Sequence, residues 1–125
     1  MDVRFTPREL HVMKALWALG GGTVSEVRAR LPDELAYNTV LTVLRILEDK
    51  GHVTHEEQGR AHRYTALVDE ATARSTAVGR LIGDLFAGSS SLLLTHLVED
   101  RALDEDDLKR LRALLEEQLE EEDDR

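Results

Sequence analysis

At 125 residues with 42% hydrophobic content, the chain has apolar material for one modest core, or for a compact domain with an oligomerising tail. It has no cysteine, which excludes disulfides and thiolate metal sites, and no apolar run near the ~18 residues that a spanning helix requires. The net charge of −9 argues against nucleic acid only until it is divided: residues 1–68 hold nine Lys/Arg and nine Asp/Glu, residues 69–125 seven and sixteen, so the acidic excess is C-terminal.

The opening MDVRFTPREL lacks the apolar centre of a signal peptide, so a cytoplasmic location is expected. Thr6-Pro7-Arg8-Glu9 supplies a capping residue, a proline at the first helical position and a glutamate at N3. The helix it starts should run from about Pro7 to Leu19, with Leu10, Met13, Leu16 and Trp17 as a core-facing stripe. Gly20-Gly21-Gly22 breaks it. A phosphate-binding loop is not indicated, because no strand precedes the glycines and no Gly-Lys-Ser/Thr follows them. Thr23-Val24-Ser25-Glu26 caps a short second helix through Leu31, with Val24, Val27 and Leu31 inward, and Pro32-Asp33 ends it.

In the next helix, from about Tyr37 to Lys50, Val40, Val43, Leu44 and Leu47 fall at i, i+3, i+4 and i+7. That spacing leaves Asn38, Leu41, Thr42, Arg45 and Asp49 on the other side. A cation followed by Gly51 is a sound helix end. Val53 to Glu57 and Arg63 to Leu67 are extended runs around Gln58-Gly59-Arg60, so they predict a hairpin. Three helices followed by a hairpin that carries Arg60, His62 and Arg63 outline a winged helix-turn-helix, and DNA binding follows from the polar, arginine-bearing helix face. Glu56 and Glu57 are expected to point away from DNA.

From Asp69 the character changes. Asp69 can cap a helix with Ala71, Val78, Leu81, Ile82, Leu85 and Phe86 on or near one face, ending at Gly88. Ser89-Ser90-Ser91 opens another in which Leu92, Leu93, Leu94, Leu97 and Val98 are apolar nearly all round, so it should be buried. Asp104, with Asp107 at N3, opens the last, where Leu108, Leu111, Leu115 and Leu119 face one way. So leucine-rich a unit is too small to stand alone, and a second copy is the economical cover. The final EEEDDR should fray. His52, His55 and His62 are read as solvated side chains rather than a metal cluster, since spacing of three past Gly51 does not put ligands on one helix face. No catalytic arrangement stands out, so neither an enzyme nor a cofactor is expected.

The segments TPRELHVMKALWALGGGTVSEVRARL, LAYNTVLTVLRILEDKGHV and GRAHRY resemble the N-terminal winged-helix domain of the penicillinase-repressor family, also called BlaI/MecI/CopY. SSSLLLTHLVEDRALDEDDLKRLRALLEE resembles that family's C-terminal dimerisation helices, so the likeness covers nearly the whole chain. It implies a mainly α fold: a winged helix-turn-helix DNA-binding domain over 1–68, then a three-helix dimerisation domain over 69–125. It also implies a homodimeric transcriptional repressor of β-lactam-resistance or related stress genes, bound to double-stranded, pseudo-palindromic operator DNA. In the family's best-known members a membrane-bound sensor protease triggers cleavage and release; the repressor itself does not insert into a membrane. The family's DNA contacts fall here on Tyr37, Asn38, Thr39, Thr42 and Arg45, with Arg60 and Arg63 as phosphate contacts in the wing. Some members carry a basic residue where Leu41 and Ile46 stand, so the operator is expected to differ. Dimer contacts are expected at Leu81, Leu85, Leu93, Leu97, Leu108, Leu111 and Leu115. The cut corresponds to His96-Leu97, where the well-studied members have Asn-Phe. A winged-helix protein adaptor that binds no DNA is the alternative, and the GRAHRY wing and charge-neutral N-terminal half weigh against it.

Overall fold

The computed structural model describes residues 3–125. Its elements, in chain order, are α1 (Pro7–Leu19), β1 (Gly22–Thr23), α2 (Val24–Ala29), α3 (Tyr37–Asp49), β2 (Val53–Gln58), β3 (Ala61–Ala66), α4 (Glu70–Leu85), α5 (Ser90–Glu99) and α6 (Glu105–Asp123). The strands form one antiparallel sheet in the order β1-β3-β2.

Local chemistry sets the helix ends. Thr6 Oγ1 accepts from Glu9 N at 3.2 Å while Glu9 Oε1 accepts from Thr6 N at 2.8 Å, so each satisfies an otherwise orphaned donor. Thr23 and Glu26 repeat the device at α2, and Asp104 and Asp107 at α6. α1 ends at Gly20, which takes the left-handed conformation with φ 71°. Its buried face differs from the expected stripe. Val12, Met13, Ala15 and Leu16 are buried, whereas Leu10 and Trp17 are only half-buried, because the helix is covered by α2, α3 and β3 together rather than from one side. The Trp17 indole reaches past that core and donates to Val68 O at 2.9 Å.

β1 occupies glycines that the sequence marks only as a breaker. Gly22 and Thr23 pair with Tyr64 and Arg63 of the returning wing strand. Gly21, at φ 112°, must be glycine: a Cβ there would meet Arg63 Nη2 at 2.9 Å and Tyr64 O at 3.1 Å. α2 stops at Ala29, short of Leu31, which nevertheless packs against the core. Two contacts fix the loop that follows: Arg8 grips Asp33 through two hydrogen bonds of 2.7 and 3.0 Å, and Arg28 Nε donates to Leu35 O.

The core joins Val12, Met13 and Leu16 of α1, Val24 and Val27 of α2, Val40, Leu44 and Leu47 of α3, Val53 and Tyr64 of the hairpin, and Val68. Each fully buried aliphatic or aromatic side chain stabilises the fold by ~1.5 to 3 kcal/mol, so this cluster is the main source of the winged helix's stability. His52 belongs to the buried set as well, contrary to the solvated role expected for it. Its ring lies edge-on to Phe5 at 5.1 Å, since the turn after Gly51 carries it inward.

The chain divides into two compact units, residues up to Gly79 and Arg80–Arg125. The division falls inside α4, and Ala73 of its first half packs against the winged-helix core. No described residue of α4, α5 or α6 is fully buried. Within one chain the apolar girdle of α5 stays largely open, so its own chain does not supply the cover it is expected to need. α6 continues to Asp123, into the acidic end expected to fray. No single helix among the described residues is long and apolar enough to cross a membrane.

Candidate nucleic-acid interface

Burying Val40, Leu44 and Leu47 fixes the rotation of α3, so its opposite face is left to solvent. Asn38, Thr39, Thr42 and Arg45 are exposed there, Tyr37 is 46% exposed at the helix start, and Leu41 is half-buried beside them. Thr42 Oγ1 donates to Asn38 O at 2.8 Å. Its only proton is thus committed to the backbone, so Thr42 meets a base edge as an acceptor. Ala36 caps α3 without a side-chain hydrogen bond, which leaves the first-turn amides open toward whatever approaches Tyr37 and Asn38.

The other end of α3 is anchored. Lys50 Nζ donates to both carboxylate oxygens of Glu9, at 2.8 and 3.0 Å, tying the exit of α3 to the start of α1. Burial alone would raise the Glu9 carboxyl, but the hydrogen bonds from Lys50 and Thr6 outweigh it and hold the group below the usual glutamate range. The Arg8 guanidinium likewise holds the Asp33 carboxyl low.

The wing is a tight hairpin: Gln58 pairs with Ala61, leaving Gly59 (φ 63°) and Arg60 as the loop, with Arg60 exposed at its tip. Strand alternation then sorts the side chains. Tyr64 is buried against the core, so His62 shares its face and Arg63 takes the other. Burial pushes the Tyr64 phenol up, Glu48 of α3 adding to the effect and Arg45 opposing it.

Together these constraints form a groove lined by Val24, Tyr37, Leu41 and Arg45 on one side and Arg60, Ala61 and His62 on the other. It unites three of the expected contacts: Tyr37, Arg45 and Arg60. Asn38, Thr39 and Thr42 are on α3's exposed surface but do not line the groove. Arg63 is elsewhere. Its Nη2 donates to Gly20 O at 3.2 Å across the sheet, holding the α1–β1 loop against the wing, and it helps keep the nearby Glu26 carboxyl low after the hydrogen bonds from Thr23. His62, unselected as a contact, takes the groove position instead; the alternation His-Arg-Tyr around a buried tyrosine was the signal for it. Glu57 pairs with His62 on that same face, so only Glu56 faces away from the α3 side.

A tri-helical unit whose third helix shows an amide, hydroxyls and an arginine to solvent, flanked by an arginine-tipped hairpin, is a winged helix-turn-helix of the DNA-binding class. The solved DNA-binding domain of the repressor BlaI superposes with a TM-score of 0.52 at 30% identity, covering 58% of this chain and 90% of that one. A mutant MarR from E. coli complexed with operator DNA gives 0.53 over 94% of this chain and 77% of that one; at 18% identity it shows shared fold alone. The family described as "Penicillinase repressor" matches residues 5–117, and the chain belongs to it. Similar relatives include the transcriptional regulator BlaI of Mycobacterium tuberculosis, 38% identical over 116 residues (86% of this chain, 80% of the relative). The penicillinase repressor of Bacillus licheniformis is 26% identical over 111 residues (87% of each). The protein is therefore a BlaI-like DNA-binding transcriptional repressor and not an enzyme.

Proposed function

We propose that the protein acts in the cytoplasm as a homodimer, residues 1–68 reading double-stranded operator DNA and residues 69–125 joining the two copies. Each α3 enters a major groove of a pseudo-palindromic operator with Asn38, Thr39, Thr42 and Arg45 toward base edges, while Arg60 takes a phosphate beside Tyr37. Arg63 serves the wing's attachment. The observation that carries this reading is the groove between α3 and the wing tip, which puts Arg45 and Arg60 on facing walls. Dimerisation draws support from the exposed apolar side chains of unit two: Leu81 (40%), Leu85 (74%), Leu108 (43%) and Leu115 (57%) stand open in the single chain, with Leu93, Leu97 and Leu111 half-buried among them.

Loss of the dimer is the route to derepression, since it turns one two-site contact into two weak single-site ones. Cleavage at His96-Leu97 under a membrane-bound sensor protease is one cause, and β-lactam-resistance or related stress genes are the regulated class that family membership suggests. A mobility-shift assay with the DNA upstream of the protein's own gene tests the reading. Retardation at protein concentrations well below those that shift random DNA is expected; retardation no better than random DNA would return the chain to the adaptor class.

A further inference from the structure

The groove holds an ionisable ring that the reading above leaves unused. His62 is exposed on its wall, on the sheet face turned toward α3, with Arg45, Tyr37 and Arg60 lining the same space. Its imidazole stacks on that of His55, with ring centroids 4.5 Å apart and planes inclined by only 15°. His55 in turn presents Nδ1 to both oxygens of Glu48 on α3, at 2.7 and 2.8 Å. The other titratable group facing His62 is Glu57, its cross-strand partner on β2, while Arg63 and Glu56 occupy the opposite sheet face.

This arrangement treats the two rings differently. Glu48 is positioned to balance a proton on His55, away from the groove. A second proton, on His62, would sit face to face with the first, across the groove from Arg45 and beside Arg60, with Glu57 as its cross-strand anion. A phosphodiester in the groove changes the balance by bringing a negative charge to the His62 side. Histidine is the side chain whose ordinary titration range lies at physiological pH, so that second proton is available when DNA arrives.

We propose that His62 is a proton-linked phosphate contact: DNA binding draws a proton onto it, and the repressor grips DNA more tightly as pH falls through the neutral range. The inference rests on the DNA-binding reading and adds to it a residue and a pH dependence. A phosphate contact is blind to sequence, so a short random-sequence duplex is a sufficient probe for the full-length protein.

Affinity is measured at about pH 6 and about pH 8, bracketing the ordinary histidine range, with ionic strength varied at each. For the natural chain, binding is expected to be tighter at the lower pH, by about tenfold for each pH unit over which DNA alone stabilises the proton. The logarithmic salt slope should steepen there by ~0.9, the increment of one added phosphate contact on duplex DNA. His62→Gln should bring the ratio of the two affinities close to one, and His62→Lys, with its fixed charge, should show the steeper slope at both pH values. A His62→Gln ratio equal to that of the natural chain, or a natural chain whose affinity does not change with pH, overturns the proposal. Absence of binding to any duplex at either pH overturns the DNA reading and this proposal together, which separates the two failures.

Discussion

Arg45 and Arg60 line one groove, yet they should fail differently. Arg45 lies on α3 amid amide and hydroxyl groups, so Arg45→Ala should weaken operator binding by ~1 to 3 kcal/mol, the range for one good base contact, and leave random DNA nearly untouched. Arg60, at the hairpin tip, should cost all sequences alike when changed to Ala and flatten the salt slope by ~1. Titrations against operator and random duplex check both; equal losses for the two variants would remove Arg45 from base reading. A second residue-scale consequence concerns acid. Glu9 sits below its ordinary range in the folded chain, so the stabilisation it brings is complete above the ordinary glutamate value and is lost as pH falls through the lowered one. Lys50→Met leaves that carboxylate almost buried without its main partner, at a cost of ~1 to 3 kcal/mol near neutral pH. The deficit should narrow under acid, where Glu9 is neutral in both proteins, and thermal melts across pH read it directly.

Elements with a local cause were legible: Thr6, Thr23, Asp69, Ser89 and Asp104 marked five helix starts, Gly20, Gly51 and Gly88 stood at three stops, and α3's apolar period gave its buried face, although its start at Ala36 carries no side-chain cap. What escaped needed a partner far along the chain. A two-residue strand of glycine and threonine has no pattern of its own, so β1 exists only because Tyr64 and Arg63 stand beside it. The same pairing sets Arg63, expected as a phosphate contact, beside Gly20, whose carbonyl it binds. In α5 the leucines on all sides need cover, and the single chain leaves none of them buried, which is what cover by a second copy requires. The expected cut lies within this helix, where His96 O accepts from Asp100 N at 3.0 Å and Leu97 O from Ala102 N at 3.1 Å, so a protease needs local unwinding first. Histidine in place of the family's asparagine, its ring paired with Asp100 at 2.8 Å, makes that bond a poorer match still. Dimer loss without cutting is therefore the expected outcome here. Immunoblots before and after β-lactam exposure should show a persistent full-length band while target genes turn on; a shorter product appearing with induction would restore cleavage.

On the scale of the whole molecule, the two units differ in what they can bury. The winged helix has its own core, whereas α5 and α6 line a shallow apolar trough with Leu94, Val98, Leu103, Leu108, Leu111 and Leu115. Leu111→Asp puts a charge in the middle of that trough. If a second copy covers it, the variant should sediment as a monomer and lose the steep two-site affinity, keeping helicity and half-site binding. A variant that remains dimeric would place the interface elsewhere. The lopsided charge fits the proposed division of labour, because the acidic excess lies in the half proposed to make protein contacts, while the neutral half sets Arg45 and Arg60 in the groove.

The chain also carries its own optical gauge. Trp17 is its single tryptophan, and the indole N–H is bound to the carbonyl of Val68, just ahead of α4. Any event that pulls the start of α4 off the winged helix must break that bond and wet the ring, so the colour of the protein's intrinsic emission tracks whether this exit is fastened, with no dye and no label attached.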